Sequence, residues 1–324
     1  MNTLVTGGTG FIGAALVRQL RDEGHYVRVL DDDSRGRALN LADTGVEVVH
    51  GDVRDSQLVR RACIDMDRVF HLAYINGTRF FYEIPEHVLD VAVRGTLNVM
   101  DAAVAARVKR FIFASSSEVY HLPEGIPTDE RVKLQIPDPC NPRFSYGGGK
   151  LIGELLTLHY IRRKGTEGVV FRPHNVYGPA MGFEHVIPEF VQRMIELSDG
   201  LRISRIPFPI QGSGMETRAF CHIDDAVRGI RLVGDQGNDG EIYHVGNDAT
   251  ETSVAELARM IAAELGLELL MEAGPLAVGS TPRRLPCIDK MRAIGFEPSV
   301  SLSTGLPETV AWYRDYFLRG RNAA

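Results

Sequence analysis

Two residues four positions apart, Tyr146 and Lys150, carry the clearest chemical signal in the sequence. In a helix this spacing brings both side chains to one face, where they can interact. An ammonium group close to a phenol lowers the pKa of the phenol and prepares it to accept a proton from a hydroxyl group. We therefore interpret Tyr146 as a proton acceptor and Lys150 as the residue that activates it.

The glycines between these two residues, Gly147–Gly149, allow a second interpretation, a phosphate-binding P-loop. That motif needs Ser or Thr directly after the lysine to bind magnesium, and a strand directly before the loop. Leu151 stands at the hydroxyl position and no predicted strand precedes the run, so we reject the P-loop. Each glycine costs a helix about 1 kcal/mol relative to alanine. Their presence indicates that the backbone here approaches another group closely.

A glycine-rich turn near the first residue predicts a dinucleotide site. The stretch Leu4–Gly13 leads from an apolar strand into a helix. Its first glycine allows a sharp turn, its second lets the backbone approach a pyrophosphate, and its third lets the helix pack tightly on the sheet. The free N–H groups of that helix then face the phosphates. The expected cofactor contacts in this turn are Gly7, Gly10, Phe11, Ile12 and Gly13.

Asp31, at the end of the second predicted strand, bears on which cofactor is bound. A carboxylate at this position can accept hydrogen bonds from both ribose hydroxyls of NAD and repels the 2′-phosphate of NADP. Arg35 and Arg37 follow closely and complicate this reading, but arginines in loops are commonly solvated. We therefore predict that the cofactor is NAD.

The order of predicted elements indicates the fold class. Strands and helices alternate through the first half of the chain, which implies parallel strands joined by crossover helices. We predict an α/β fold with a Rossmann-type doubly wound parallel sheet. Beyond Arg172 prolines and short elements become denser, as expected of a smaller lobe that closes over a substrate. We assign residues 1–172 to the NAD-binding domain and residues 173–324 mainly to a C-terminal substrate-binding lobe, with some segments returning to the sheet.

Three segments follow the carboxyl ends of predicted strands, where parallel sheets build their sites. Asp52-Val53 is either an adenine contact or, equally well, the cap of the next helix. Leu72-Ala73 ends the fourth strand with a small residue, against which a cofactor can lie. The segment Asn76–Tyr82 combines an arginine with three aromatic residues, and we favour a loop that lines the pocket over a loop packed under a neighbouring element. Its expected substrate contacts are Asn76, Thr78 and Arg79.

Composition disfavours several other classes of protein. The chain has 324 residues, 44% of them hydrophobic and 24% charged, which is enough to bury a full core. A net charge of −6 provides no basic surface for nucleic acid. No signal peptide or membrane-spanning apolar run is recognisable, so we expect a cytoplasmic protein without a membrane partner. The four cysteines lie far apart and the histidines form no ligand pattern, so we expect reduced thiols and no metal site.

Together these features resemble the extended short-chain dehydrogenase/reductase family, which contains the NAD-dependent nucleotide-sugar epimerases and dehydratases. The resemblance implies that bound NAD oxidises the sugar C4 hydroxyl, that chemistry follows at the ketone, and that the hydride returns. It also implies a nucleoside-diphosphate sugar as the partner, and a homodimer built on the predicted helices Pro85–Ala106 and Ser145–Arg163. The segments that carry the resemblance are Thr6–Gly13, Asp31, Ser115–Tyr120, Tyr146 with Lys150, Arg172–Pro179, Pro286–Lys290 and Ile294–Pro298.

The resemblance further implies roles for single residues. Ser116 becomes the third catalytic residue, which hydrogen-bonds the C4 oxygen. Ser117 and Glu118 stand where hexose 4,6-dehydratases often carry an Asp-Glu pair, so Glu118 can deprotonate C5 but the usual acid for expelling the C6 hydroxyl is missing. Ala92 and Cys287 replace an asparagine and an aspartate that are common in the family. The implied substrate contacts are Ser117, Asn175 at the diphosphate, Val186 and Ile187 along the base, and Arg218 and Arg284 on the phosphates.

We predict a nucleotide-sugar 4-epimerase, because that reaction needs only oxidation at C4, rotation of the ketone and return of the hydride. The alternative is a 4,6-dehydratase or a decarboxylase that uses Glu118 at the 4-keto stage. A non-catalytic NAD-binding regulator is a third alternative. The presence of Ser116, Tyr146 and Lys150 argues against a regulator, since binding alone does not need these residues.

Overall fold

The computed structural model describes residues 1–275 and 281–322, and its first half alternates between strands and helices. The strands are β1 (Asn2–Thr6), β2 (Tyr26–Asp31), β3 (Glu47–His50), β4 (Arg68–His71), β5 (Arg110–Ala114) and β6 (Glu167–Pro173). The helices are α1 (Phe11–Asp22), α2 (Ser56–Cys63), α3 (Thr78–Glu83), α4 (Pro85–Asp90), α5 (Thr96–Ala105) and α6 (Ser145–Leu155).

The second half contains shorter strands between longer helices. The strands are β7 (Val176–Tyr177), β8 (Arg205–Ile210), β9 (Thr217–Ala219), β10 (Cys221–His222), β11 (Ile242–Val245), β12 (Glu251–Ser253), β13 (Glu268–Ala273) and β14 (Arg283–Arg284). The helices are α7 (Val186–Leu197), α8 (Ile223–Gln236), α9 (Val254–Glu264), α10 (Asp289–Arg292) and α11 (Leu302–Asn322).

Seven strands form one parallel sheet in the order β11-β6-β5-β4-β1-β2-β3. This is the doubly wound Rossmann arrangement, so the predicted fold class is confirmed. The direction of winding reverses between β1 and β4, and ligands of such sheets bind in the crevice at this point, beyond the carboxyl ends of the strands. The edge strand β11 comes from the second half of the chain and pairs with β6.

Three apolar clusters stabilise these layers. One packs α1 and α8 on one face of the sheet, and a second packs α2, α4, α5 and α6 on the other face. The third cluster lies among α7, α9, α11 and β8. The elements beyond the sheet thus have an apolar core of their own, which allows them to form one wall of the cleft.

Two of the predicted long helices contain π-helical turns. Residues Val91–Gly95 join α4 to α5, and residues Leu156–Ile161 extend α6. Such turns are rare and are often found at functional sites. The first one brings Ala92 against Gly149 of α6, since a Cβ atom added at Gly149 would lie 2.7 Å from the Cβ of Ala92.

The segment Asn76–Tyr82 is not the loop that the sequence analysis predicted, because most of it belongs to α3. A helix of six residues is too short to show a 3.6-residue period, so its sequence gives no helical signal. Tertiary packing stabilises it instead. Phe81 is buried and stacks on Tyr146 with ring centres 4.9 Å apart, whereas Tyr82 is exposed.

A buried ion pair joins α6 to the sheet. Arg172 in β6 donates from Nε and Nη2 to the carboxylate of Glu154, at 2.7 and 2.6 Å, and the two side chains are only 2% and 3% exposed. The Ser115 hydroxyl donates to the same carboxylate at 2.5 Å. Glu154 lies one helical turn after Lys150, so this pair positions the helix that carries Tyr146 and Lys150.

We expect Glu154→Gln to lower the free energy of unfolding by about 3–5 kcal/mol, because it leaves Arg172 buried without a counter-charge. Chemical denaturation measures this loss. Glu83→Gln is the matched control: it breaks an ion pair with Arg79 in which the two side chains are 53% and 65% exposed. That control should cost less than about 1 kcal/mol. A Glu154→Gln protein as stable as the parent would contradict the anchoring role.

Candidate active site

A large cleft opens at the carboxyl edge of the sheet, at the point between β1 and β4 where the winding reverses. Every residue that the sequence analysis named as a cofactor contact lines it. These residues are Gly7, Gly10, Phe11, Ile12, Gly13, Asp31, Asp52, Val53, Leu72, Ala73, Tyr146 and Lys150.

The glycine-rich turn has the shape that a dinucleotide diphosphate requires. Gly7 has a φ of +73°, and a Cβ there would lie 2.6 Å from the backbone nitrogen of Ala73. A Cβ at Gly13 would lie 2.0 Å from the carbonyl oxygen of Gly7. A Cβ at Gly10 would meet this same oxygen at 3.5 Å and no other atom of the described residues within 4 Å, so Gly10 is open to the cleft. Helix α1 begins directly after Gly10, and its N–H groups can receive an anion.

Asp31 lies at the end of β2 with its carboxylate already in part hydrogen-bonded. It accepts the backbone N–H groups of Thr9 and Asp33, both at 2.9 Å. Burial raises the pKa of Asp31, and these hydrogen bonds oppose the shift. Each carboxylate oxygen has more than one acceptor site, so Asp31 can still accept ribose hydroxyls. The residues present therefore fit NAD.

Arg35, the nearby arginine that complicated the choice of cofactor, is paired across the cleft. Its guanidinium lies 2.9 Å from the carboxylate of Glu184 and 4.7 Å from the ring centre of Phe80. An arginine held in this way is neutralised and offers little attraction to a 2′-phosphate. This pairing is consistent with NAD rather than NADP.

Asp52 lines the cleft but does not cap α2. Its carboxylate pairs with Arg54 at 2.5 Å. Asp55 makes the cap instead, accepting the backbone N–H groups of Gln57 and Leu58 at 3.0 Å. Of the two readings of Asp52 that the sequence left open, the helix cap is therefore wrong.

Tyr146, Lys150 and Ser116 meet in the inner part of the cleft, on α6 and directly after β5. Burial lowers the pKa of Lys150 and raises the pKa of Tyr146, although a hydrogen-bonding interaction with Ser116 acts in the opposite direction on the phenol. Lys150 Nζ donates to the carbonyl oxygen of Ala114 at 2.7 Å and lies 5.6 Å from the centre of the Tyr146 ring. In the free protein, burial thus dominates the pKa of Tyr146, and the opposing influence comes from Ser116 and not from Lys150 as we expected.

Glu118 faces a group of arginines. Arg284 donates to its carboxylate at 2.5 Å, and the Arg143 guanidinium lies 4.0 Å away. Burial disfavours the charge on Glu118, but Arg284, Arg143 and Arg218 outweigh it and hold the pKa below its ordinary value. The sequence indicates Arg284 and Glu118 as separate site residues, and the structure pairs them. Arg143 could not be recognised from the sequence, because a single arginine before a helix has no feature that distinguishes it from a surface residue.

The expected substrate contacts divide into two groups. Asn76, Thr78, Ser117, Asn175 and Arg284 line the cleft, whereas Arg79, Val186, Ile187 and Arg218 are not among its lining residues. Arg79 is exposed and pairs with Glu83, while Ile187 is fully buried in the core of the second lobe. Arg218 donates to the backbone carbonyls of Thr217 and Thr281, both at 2.7 Å. Ile187 is buried because it lies on the apolar face of the helix α7. The guanidinium of Arg218 is occupied by its hydrogen bonds to the two backbone carbonyls.

Two further findings concern the described part of the chain. None of its groupings of His, Cys, Asp or Glu could hold a metal ion. None of its helices combines the length and the apolar character that a membrane crossing requires.

Comparisons with known proteins agree with this geometry. Residues 3–246 match the family described as the NAD dependent epimerase/dehydratase family. A dTDP-glucose 4,6-dehydratase of Streptomyces niveus is 34% identical over 97% of this chain and 93% of the relative. A UDP-glucose 4-epimerase of Mycolicibacterium smegmatis is 33% identical over 97% of this chain and 99% of the relative. The crystal structure of DesIV, a dTDP-glucose 4,6-dehydratase from Streptomyces venezuelae with NAD and TYD bound, superimposes with a TM-score of 0.85 at 32% identity, covering 99% of this chain and 98% of that one.

We expect Gly10→Ala to weaken NAD binding by at least about tenfold, or about 1.4 kcal/mol, with little loss of stability. The added methyl group fits the fold but projects toward the expected pyrophosphate. Calorimetric titration measures the affinity, and thermal unfolding without cofactor measures stability. Gly125→Ala is the control, because a Cβ there meets no atom of the described residues within 4 Å. A folded Gly10→Ala protein that binds NAD as the parent does would remove Gly10 from the phosphate site.

Proposed function

This chain belongs to the NAD-dependent epimerase/dehydratase family, and from that membership we propose that it is a nucleotide-sugar 4-epimerase. The family consists of enzymes that modify nucleotide sugars with NAD. The observation that carries the finer assignment is the content of the inner cleft. Ser116, Tyr146 and Lys150 are complete for redox chemistry at C4, while Glu118 is paired with arginines and Ser117 stands beside it in place of a second acid.

In this proposal NAD lies along the glycine-rich turn and Asp31, and when bound it takes a hydride from the sugar C4 and later returns it. Tyr146 accepts the proton of the C4 hydroxyl and gives it back after the ketone has turned its other face. Lys150 favours the ionised phenol and holds the nicotinamide ribose. Ser116 donates a hydrogen bond to the C4 oxygen.

Support for epimerisation over elimination comes from the state of Glu118. A general base works best when its pKa lies near the operating pH. The surrounding arginines hold the pKa of Glu118 low, so its carboxylate is a weak base. Dehydration also needs an acid to expel the C6 hydroxyl, and Ser117 cannot serve as that acid. Glu118 is better suited to orienting Arg284 and Arg143.

A dehydratase or a decarboxylase is the second candidate. The observation that favours it is that Glu118 lines the same cleft as Tyr146. Loss of carbon dioxide, unlike loss of water, needs no acid at C6. Product mass distinguishes these reactions directly.

We expect Glu118→Gln to keep its epimerase activity within about tenfold of the parent, because glutamine still offers Arg284 a hydrogen-bond acceptor. A base in an elimination would lose about 10²–10⁴-fold on the same change. The assay uses a panel of nucleotide sugars, with NMR and mass spectrometry of the products. Tyr146→Phe is the comparison variant and should lose about 10²-fold or more.

The product of the parent enzyme decides between the two candidates. Unchanged mass with inversion at C4 is the expected result. A product lighter by water or carbon dioxide, whose formation stops in a folded Glu118→Gln protein that still holds NAD, would replace the epimerase with the second candidate.

We also propose a homodimer through α4, α5 and α6. Apolar side chains remain exposed on the first and last of these helices: Leu89 is 39%, Ile152 38% and Leu155 51% exposed. Burying these side chains against a second copy stabilises the dimer by about 25 cal/mol for each Å² of apolar surface removed from water. Light scattering should give the mass of a dimer, and Ile152→Glu with Leu155→Glu should give a folded monomer. A parent protein that is monomeric at every concentration would contradict the proposal.

A further inference from the structure

Tyr74, which follows the carboxyl end of β4, contacts both Tyr146 and Lys150. Lys150 Nζ lies over the face of the Tyr74 ring, 3.5 Å from its centre. The Tyr74 and Tyr146 rings meet edge to face, with centres 5.3 Å apart and planes at 83°. Tyr74 lines the cleft, yet the sequence analysis gave it no role.

The surrounding chain leaves room for this ring. A Cβ at Gly149 would lie 2.2 Å from the Tyr74 hydroxyl oxygen and 2.7 Å from the Cβ of Ala92. Any larger residue at position 149 would therefore displace Tyr74. Within the described part of the chain, a Cβ at the adjacent Gly148 would come within 4 Å of the Ile136 side chain alone, at 3.6 Å. Among the three glycines before Lys150, the close approach to Tyr74 thus belongs to Gly149.

The hydroxyl group of Tyr74 does not explain its position. Its oxygen is buried and makes no hydrogen bond to any residue that the structure describes. A buried hydroxyl without a partner costs stability. The interaction that compensates must therefore involve the aromatic ring, whose face carries the negative end of the ring quadrupole.

Among the described residues, the Lys150 ammonium has few other groups that favour its charge. It is buried, and Ala114 is its hydrogen-bond acceptor. The carboxylate of Glu154, one turn further along α6, favours the charged lysine, but it is also bonded to Arg172 and Ser115. The other titratable groups near the ammonium are Tyr74, Tyr146 and His71, and burial lowers the pKa of His71 to about 3, so the imidazole is neutral. The Phe113 ring adds a more distant aromatic contact, with its centre 5.3 Å from Nζ.

We propose that Tyr74 is a positioning residue that holds the Lys150 ammonium group against its ring face, beside Tyr146. The inference rests on the proposed role of Tyr146 and Lys150 in C4 redox chemistry. It assigns a task to the ring of Tyr74 and explains why Gly149 and Ala92 are small. A cation over an aromatic face in a desolvated site changes the equilibrium between charged and neutral lysine by about 3- to 30-fold.

The first test follows Lys150 directly in protein without cofactor. The sequence holds only five lysines, so NMR of the protein labelled with ¹³C at lysine Cε gives few signals, and the absence of one in Lys150→Met assigns it; the lysines are Lys109, Lys133, Lys150, Lys164 and Lys290. The ring stabilises the charged form, so removing it lowers the pKa of Lys150. Tyr74→Leu should lower this pKa by about 0.5–1.5 pH units, and Tyr74→Phe should leave it near the parental value.

The second test is the pH dependence of turnover on the active nucleotide sugar. Loss of the ring should lower kcat more than it changes KM. The alkaline limb of the profile should move to lower pH in Tyr74→Leu, because Lys150 loses its proton earlier. Tyr74→Phe should restore the position of that limb. If Tyr74 served only for packing, its loss would reduce stability without moving the alkaline limb of the profile.

A third test, Gly149→Ala, disturbs the contact between Tyr74 and Lys150 without changing either residue. It therefore does not depend on whether Tyr74→Leu folds. It should displace Tyr74 and lower the pKa of Lys150, while the matched control Gly148→Ala should not. Combining Gly149→Ala with Tyr74→Leu should add no further shift. An unmoved Lys150 pKa in folded Tyr74→Leu or Gly149→Ala, or an equal shift in Tyr74→Phe, would overturn the proposal. If the lysine titration behaves as expected but the parent epimerises no nucleotide sugar, the proposed function fails and the contact stands.

Discussion

The buried ion pair between Arg172 and Glu154 is the constraint on which the rest of the site depends. It joins the end of β6 to the last turn of α6, and Ser115 adds the end of β5 through the same carboxylate. Two charges without water are stable only when each satisfies the other in good geometry. The pair therefore permits few positions of α6, and Tyr146 and Lys150 are placed over the cleft as a consequence.

The burial that positions these residues also sets their chemistry. A phenol and an ammonium taken out of water both favour their neutral forms, so the pKa of Tyr146 rises and that of Lys150 falls. Proton transfer from a sugar hydroxyl needs the opposite balance, an ionised phenol beside a charged lysine. Aromatic rings, a backbone carbonyl and the bound substrates must add to the charge of Glu154, because that carboxylate is shared with Arg172 and Ser115. Burying Tyr146 and Lys150 in the inner cleft thus costs stability, and it places the two reactive groups side by side.

The sequence predicts the features that short-range patterns encode. Alternating elements predict the parallel sheet, and the spacing of Gly7, Gly10 and Gly13 predicts a turn open to a diphosphate. The partners that depend on distant chain segments could not be predicted. Glu154 in α6 and Arg172 in β6 are separated by a π-helical turn and a short connection, and Glu118 and Arg284 lie in different halves of the chain. Tyr74 was missed for the same reason, because its place depends on the small residues at positions 92 and 149, which only the fold brings together.

The central claim is that the hydride removed from C4 returns to the same carbon, on the opposite face of the ketone. A nucleotide hexose that carries deuterium at C4 tests this claim without added cofactor. The account predicts a product of unchanged mass in which the sugar is inverted at C4 and the deuterium is still bound there. Deuterium found at C6, or absent from the sugar, would contradict it, because the label would then have moved to C6 during an elimination or left the protein on a reduced cofactor.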